Sequence, residues 1–199
     1  MGTANVSASD EPTDFGEITF NTVCSSCHQQ SGHGIKGMAA PAIAGLPRWY
    51  ISDQLRKFRA GTRGGSKADG QAYLMHLNVS RLTDKQVAFV GRYVQSLPPL
   101  MNRVTETIDE NQLASMLDPT QTPALYEDAC GLCHGKTGLG NRKTWGPPLN
   151  RRQDWYLAAQ LKQFELGKRP HDKRGRLKAL SESEQLSLAH YIATFEEKN

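Results

Sequence analysis

The sequence predicts an all-α fold written twice. Three observations carry that prediction: self-similarity at one fixed offset, apolar residues spaced for one helix face wherever the chain repeats, and no convincing strand alternation in the 199 residues. Adding 106 to first-half positions pairs Phe20 with Tyr126, Pro41 with Pro147, Trp49 with Trp155, Tyr50 with Tyr156, Gln54 with Gln160, Leu55 with Leu161, Phe58 with Phe164, Gly61 with Gly167 and Arg63 with Arg169. Beyond Arg63 the offset falls to 98, pairing Leu82 with Leu180 and Tyr93 with Tyr191, so the second copy is eight residues shorter before its last helix. The expected organisation is a first domain over residues 1–99, a connecting segment over 100–118 and a second domain over 119–199.

Each copy opens with a helix that carries Phe20 or Tyr126 one turn ahead of a cysteine pair, and the cysteine element closes that helix. A middle helix follows, in "PRWYISDQLRKFRAG" and "RQDWYLAAQLKQFELG", with Trp, Leu and Phe on one face. Each stops at a glycine, which tolerates the left-handed geometry that ends helices. The last helices open with "TDKQ" (Thr83 to Gln86) and "SESE" (Ser181 to Glu184). Both fit the capping box, in which Ser/Thr and Glu/Gln satisfy two orphan amides reciprocally. Val87, Val90 and Val94 in one copy, and Leu188 and Ile192 in the other, supply the buried stripe. Between the copies, "LPPLMNRVTETIDENQLASMLDPTQTP" is bounded by prolines and reads as a long connection with about one helical turn.

All four cysteines lie in "TVCSSCHQQSG" and "DACGLCHGKTG", two Cys-x-x-Cys-His elements. Paired zinc knuckles usually stand roughly 15 to 20 residues apart, whereas Cys24 and Cys130 are 106 apart. A redox dithiol belongs beside a βαβ pattern, and the surrounding sequence is helical and glycine-rich. The remaining reading is covalent haem: Cys24 with Cys27, and Cys130 with Cys133, form thioethers to the vinyl groups, and His28 and His134 ligate the two irons.

Composition agrees with two covalently bound haem c groups. Hydrophobic residues make up 38% and mean hydropathy is −0.57, low for domains that build their cores from side chains alone. A buried porphyrin supplies the missing apolar volume. The net charge of +4 would be largely offset by four haem propionates, and the basic residues are scattered through helices without a nucleic-acid motif. No run approaches the roughly 18 apolar residues of a spanning helix, so the chain as given reads as soluble. "MGTANVSASDEPTDFGE" has neither the basic start nor the apolar stretch of a signal peptide. Because bacteria attach covalent haem outside the cytoplasm, the expected location is the periplasm, with an export signal or membrane anchor removed.

Cys-x-x-Cys-His, a proline thirteen residues later, Trp-Tyr ahead of a Gln-Leu-x-x-Phe helix, Gly-x-Arg, and a final Leu-Ser/Thr helix with a Tyr resemble class I cytochrome c. The duplication resembles the periplasmic two-haem cytochromes of the cytochrome c4 group over nearly the whole chain. The resemblance implies two tandem class I cytochrome c domains, each wrapped around one covalent haem, with the haems near the inter-lobe contact. It also implies that Pro41 and Pro147 orient the proximal histidines through their backbone carbonyls. In register with the family pattern, Met75 is the expected distal ligand of the first iron, with neighbouring His76 as its competitor. Met38 reads as packing, and His33 and His190 as facing solvent. The second copy has no methionine after Met116. Register there favours Lys173, while chemistry favours His171, whose imidazole is largely neutral near pH 7. His171 is the expected ligand, with Lys173 or an open iron as the alternatives.

These features predict an electron carrier between a redox protein donor and acceptor in a periplasmic respiratory or photosynthetic chain, with a membrane-bound redox complex as one docking partner. The competing class is a two-haem enzyme, of peroxidase or thiosulfate-oxidising type, working at the second haem. No cysteine remains outside the attachment elements to ligate a catalytic haem.

Overall fold

The computed structural model of the protein describes residues 14–101, 116, 120–171 and 180–195. In the first lobe, helix α1 (Asp14–Val23) runs through Cys24 into the turn Ser25–His28, and the amide of Cys24 still donates to the Phe20 carbonyl at 2.8 Å. Helices α2 (Arg48–Arg59), α3 (Gln71–Val79) and α4 (Asp84–Ser96) follow. The second lobe repeats the plan with α5 (Thr122–Tyr126), α6 (Asp154–Glu165) and α7 (Glu182–Ala193). Its attachment helix differs in one respect that nothing in the sequence signals: Glu127–Gly131 is a π-turn between α5 and the short turn Leu132–His134. Among the described residues there is no strand. Lys173, the connecting segment over 102–115 and 117–119, and the N-terminal stretch 1–13 lie outside the described residues.

The repeated aromatics are the centres of the two cores. Phe20 is fully buried against α4 and meets Tyr93 with ring centres 5.3 Å apart, while Tyr126 is 1% exposed and meets Tyr191 at 6.0 Å. Both sequence-predicted stripes face inward: Val87, Val90 and Val94 pack with Phe20, and Leu188 and Ile192 pack with Tyr126. Both expected capping boxes form, with the Thr83 and Ser181 hydroxyls accepting from the amides of Gln86 and Glu184. Where α1 crosses α4, a Cβ on Gly16 would stand 2.6 Å from the Phe89 carbonyl oxygen, which belongs to backbone and has no rotamer to change. Gly16→Ala would gain about 1 kcal/mol of helix propensity, yet overpacking costs of about 1–3 kcal/mol make the expected net result a loss, read by denaturant unfolding of the first lobe.

The duplication extends into the loops. An isolated bridge pairs Ile35 with Ala40, and another pairs Asn141 with Gly146, at the same offset of 106. Each closes a loop over the histidine of its Cys-x-x-Cys-His element, His28 or His134, whose carbonyl accepts from Gly34 at 2.9 Å or Gly140 at 2.8 Å. These glycines hold φ of 79° and 83°, and a Cβ on Gly34 would stand 2.3 Å from the Ala40 carbonyl oxygen. A side chain at either position would open the loop.

Candidate haem sites

Each Cys-x-x-Cys-His element sits at the end of its lobe's first helix because α1 or α5 is anchored by Phe20 or Tyr126 one turn earlier. In the first lobe Cys24, Cys27 and His28 line one pocket, together with Pro41, Leu55, Phe58 and Met75. In the second, Cys130, Cys133 and His134 line another with Pro147, Leu161, Phe164 and His171. Burial, and then the neighbouring Cys27 or Cys133, pushes Cys24 and Cys130 each up to about 12. A thiol that stays protonated is a poor zinc ligand, because zinc takes thiolate. Among the described residues no cluster of His, Cys, Asp and Glu is arranged to hold a metal by itself.

The proximal histidines are held as the family resemblance implies. Nδ1 of His28 lies 2.8 Å from the Pro41 carbonyl oxygen, and Nδ1 of His134 lies 2.8 Å from that of Pro147. A carbonyl only accepts, so Nδ1 carries the proton and Nε2 keeps its lone pair for a metal. Burial lowers the pKa of His28, the Pro41 carbonyl partly restores it and Arg152 lowers it again, so the ring is neutral.

The distal candidates separate on geometry. Met75 is half-buried on α3, packs on the first core and lines the first pocket. His76 does not line that pocket: its Nδ1 meets the Phe58 carbonyl oxygen at 2.6 Å and its ring stacks on Tyr73. In the second lobe His171 faces His134, with ring centres 6.3 Å apart and planes inclined at 36°, and Phe164 packs edge-on against it at 4.7 Å. A metal–imidazole bond is about 2 Å and the ring centre lies roughly 1 Å further on, so two imidazoles sharing one iron have centres about 6 Å apart. The spacing of His134 and His171 has that value.

Three expectations need correction. Met38 does not pack, because its turn, Lys36–Met38, holds it at the surface, 46% exposed. His190 does not face solvent freely: it is half-buried on α7, and its Nδ1 is enclosed without a hydrogen-bond partner. His33 is half-buried as well, and its Nε2 meets the Pro98 carbonyl oxygen at 3.1 Å.

The basic residues are not merely scattered, because three arginines converge on the wall between the pockets. Tyr50, Gln54, Arg63, Arg152, Tyr156 and Gln160 line both. The arrangement is reciprocal. Arg63 donates to Gln54 of its own lobe at 2.6 Å and to the Tyr156 hydroxyl of the other at 3.0 Å. Arg169 donates to its own Gln160 at 2.6 Å and across to the Tyr50 hydroxyl at 3.1 Å. Arg152 lies over the rings of both tyrosines and donates to the Ala42 carbonyl at 2.8 Å. Beside it, the Gln153 side chain accepts from the Ala42 amide at 2.8 Å and donates to the His33 carbonyl.

None of the hydrogen bonds the structure gives these three guanidiniums among the described residues goes to a carboxylate, although Arg63 and Arg152 are only 7% and 4% exposed. Buried cations without counter-charge cost several kcal/mol each. The strength of the local field shows at Tyr156: burial alone would raise its pKa, yet Arg63, Arg169 and Arg152 bring it down to about 7. A wall with this charge calls for anionic partners, and haem propionates are carboxylates of the right kind. Thiols, neutral imidazoles, apolar walls and guanidiniums without a carboxylate partner together fit one haem in each lobe. Sequence reasoning passed over this wall, although the repeat itself contained the signal: Tyr50, Gln54 and Arg63 are polar, yet each recurs among the core positions.

Comparison with known proteins gives concordant matches. The cytochrome c family model matches residues 15–98. A thiosulfate dehydrogenase electron acceptor from Thiomonas intermedia is 27% identical over 179 residues, 85% of this chain and 77% of that protein. A cytochrome c4 from Azotobacter vinelandii is 25% identical over 155 residues, 75% of this chain and 71% of the relative. Among solved structures, reduced cytochrome c4 from Pseudomonas stutzeri aligns with a TM-score of 0.72 at 24% identity, covering 93% of this chain and 99% of that one. A thiosulfate dehydrogenase from Marichromatium purpuratum aligns with a TM-score of 0.72 at 29% identity, covering 92% of this chain but only 40% of that longer chain.

Proposed function

We propose that the chain is a diheme class I cytochrome c of the cytochrome c4 type, an electron carrier with two covalent haem c groups that accepts electrons at the second haem and delivers them from the first. The cytochrome c match over residues 15–98 and the alignments with cytochrome c4 proteins support this reading. Cys24 and Cys27 hold the first haem, whose iron is ligated by His28 and Met75. Cys130 and Cys133 hold the second, ligated by His134 and His171. Residues 1–99 and 119–199 form the two domains, joined by 100–118. The observation that carries this reading is the 6.3 Å spacing of His134 and His171 against a methionine in the other pocket. A thioether ligand raises a haem's reduction potential relative to imidazole, so the pair is graded downhill from the second haem to the first. Arg63, Arg152 and Arg169 bind propionates on the wall between them.

The working place is a periplasmic respiratory or photosynthetic chain. No helix among the described residues is long and apolar enough to cross a membrane, and delivery to a membrane-bound redox complex is the outward step. The donor is a thiosulfate-oxidising enzyme, in line with the name of the relative that aligns over 85% of this chain. Catalysis at the second haem is the weaker reading: all four cysteines belong to attachment elements, and His171 occupies the position where a substrate would bind iron.

An optical redox titration tests the proposal. Two separate waves are expected, and both haems should stay with the protein after acid–acetone extraction because thioethers are covalent. Extractable haem, or two indistinguishable waves, would refute it.

A further inference from the structure

Two lobes of one plan should present similar surfaces around their attachment elements, and they do not. In the second lobe Leu132, between Cys130 and Cys133, is 63% exposed, and Trp145 is 61% exposed. The offset of 106 places Ser26 and Ala39 at these positions in the first lobe. Trp145 lies against the cysteine element: the Thr144 hydroxyl donates to the Cys133 carbonyl at 2.8 Å, and a Cβ on Gly146 would come within 2.0 Å of that oxygen.

Trp145 is also conformationally costly. In both bridged loops the residue before the second bridge partner is in the left-handed region, Ala39 before Ala40 with φ 51° and Trp145 before Gly146 with φ 58°. A bulky aromatic residue is rare in that region, and here it runs from the rim of the second haem pocket to the surface. Such an outlier points to use. Trp49 of the first lobe meets Trp145 edge-on at 5.6 Å, and the Arg142 guanidinium lies over both rings, at 5.0 and 4.1 Å. The surface therefore continues the inter-lobe contact outward. Exposed Arg142 and Lys143 border it on the loop side, where the first lobe has Lys36 and Gly37. On the other side Lys136 is paired with Glu127 at 3.0 Å, and Asp128 stands beside that pair in the chain.

We propose that Leu132, Trp145 and Arg142 form the docking surface for the electron-donating enzyme, which brings its own apolar haem edge, bordered by carboxylates facing Arg142 and Lys143, onto the second lobe. This rests on the direction of electron flow proposed above, since a donor should dock at the lobe that accepts first. Trp and Arg are the residues that most often dominate interface energetics, and a contact with an apolar centre and a charged rim suits a small, transient electron-transfer complex.

The test removes the apolar centre and reverses the rim charge, Leu132→Ser with Arg142→Glu, at two exposed positions that do not line the haem pocket. Reduction of the intact two-haem protein is followed by stopped flow, with a thiosulfate dehydrogenase plus thiosulfate as donor and with dithionite as a small reductant that needs no docking. The expected result is a fall in the enzyme-driven rate of roughly tenfold or more, with the dithionite rate and both haem spectra unchanged. An unchanged enzyme-driven rate in the double variant, or a comparable fall caused instead by Lys36→Glu in the first lobe, overturns the docking surface and leaves the donor assignment standing. If the unmodified protein is not reduced by the enzyme, the donor assignment falls and the docking proposal with it.

Discussion

Met75→His should abolish the weak near-infrared charge-transfer band that ferric haem shows with a thioether ligand, and lower the first haem's potential on the order of 0.1–0.3 V. That is a fraction of the range of about 0.8 V over which axial ligands move haem. The expectation follows from the first pocket, where Met75 is the sulfur available on the wall that α3 contributes and which His76 does not line. The unmodified protein should show the band for one haem only. A band of twice that intensity, or one that survives Met75→His, would mean that the ligand assignment is wrong. Because the variant leaves two haems with imidazole ligands on both sides, it should also remove most of the downhill step between them and slow delivery to an acceptor.

His171→Ala should leave that band untouched and change the other haem. Without the second imidazole the iron loses one axial ligand, and the reduced haem should bind carbon monoxide rapidly, whereas the unmodified protein binds it slowly. The measurement is the rate of the carbon monoxide spectral change after flow mixing. Fast binding in the unmodified protein would argue against His171 as ligand and in favour of chemistry at that iron. Unchanged spectra in His171→Ala would shift the assignment to Lys173.

The helices were legible because each is specified locally: capping residues at Thr83 and Ser181, one apolar face, and a glycine where the middle helix stops. The attachment elements were legible because covalent chemistry fixes their spacing. What could not be read was how the lobes face one another. Arg63 and Arg169 stood out only as a repeated Gly-x-Arg, since nothing in a one-dimensional pattern distinguishes a guanidinium bound to a phenol of the other lobe from one in water. Met38 and His190 were misjudged for a related reason, that burial is a property of the folded neighbourhood: one sits on a turn that leaves it at the surface, and the other has its Nδ1 enclosed on α7. The second distal ligand was ambiguous because register counts residues while coordination needs a distance, and the shortened loop removed the register.

The reciprocal wall between the pockets has an electrochemical consequence. Tyr50, Arg63, Arg152 and Tyr156 border both haem pockets, so an electron added to either iron alters the field in the one set of dipoles and charges that solvates them both. The microscopic potential of each haem then depends on the oxidation state of the other. In strongly interacting pairs of titrating sites, the apparent midpoints belong to the pair and not to its members, and the same logic holds when the titrant is the electron. A substitution confined to one lobe, Met75→His included, should therefore leave a smaller mark on the other haem's wave, even though no ligand of that haem has been touched.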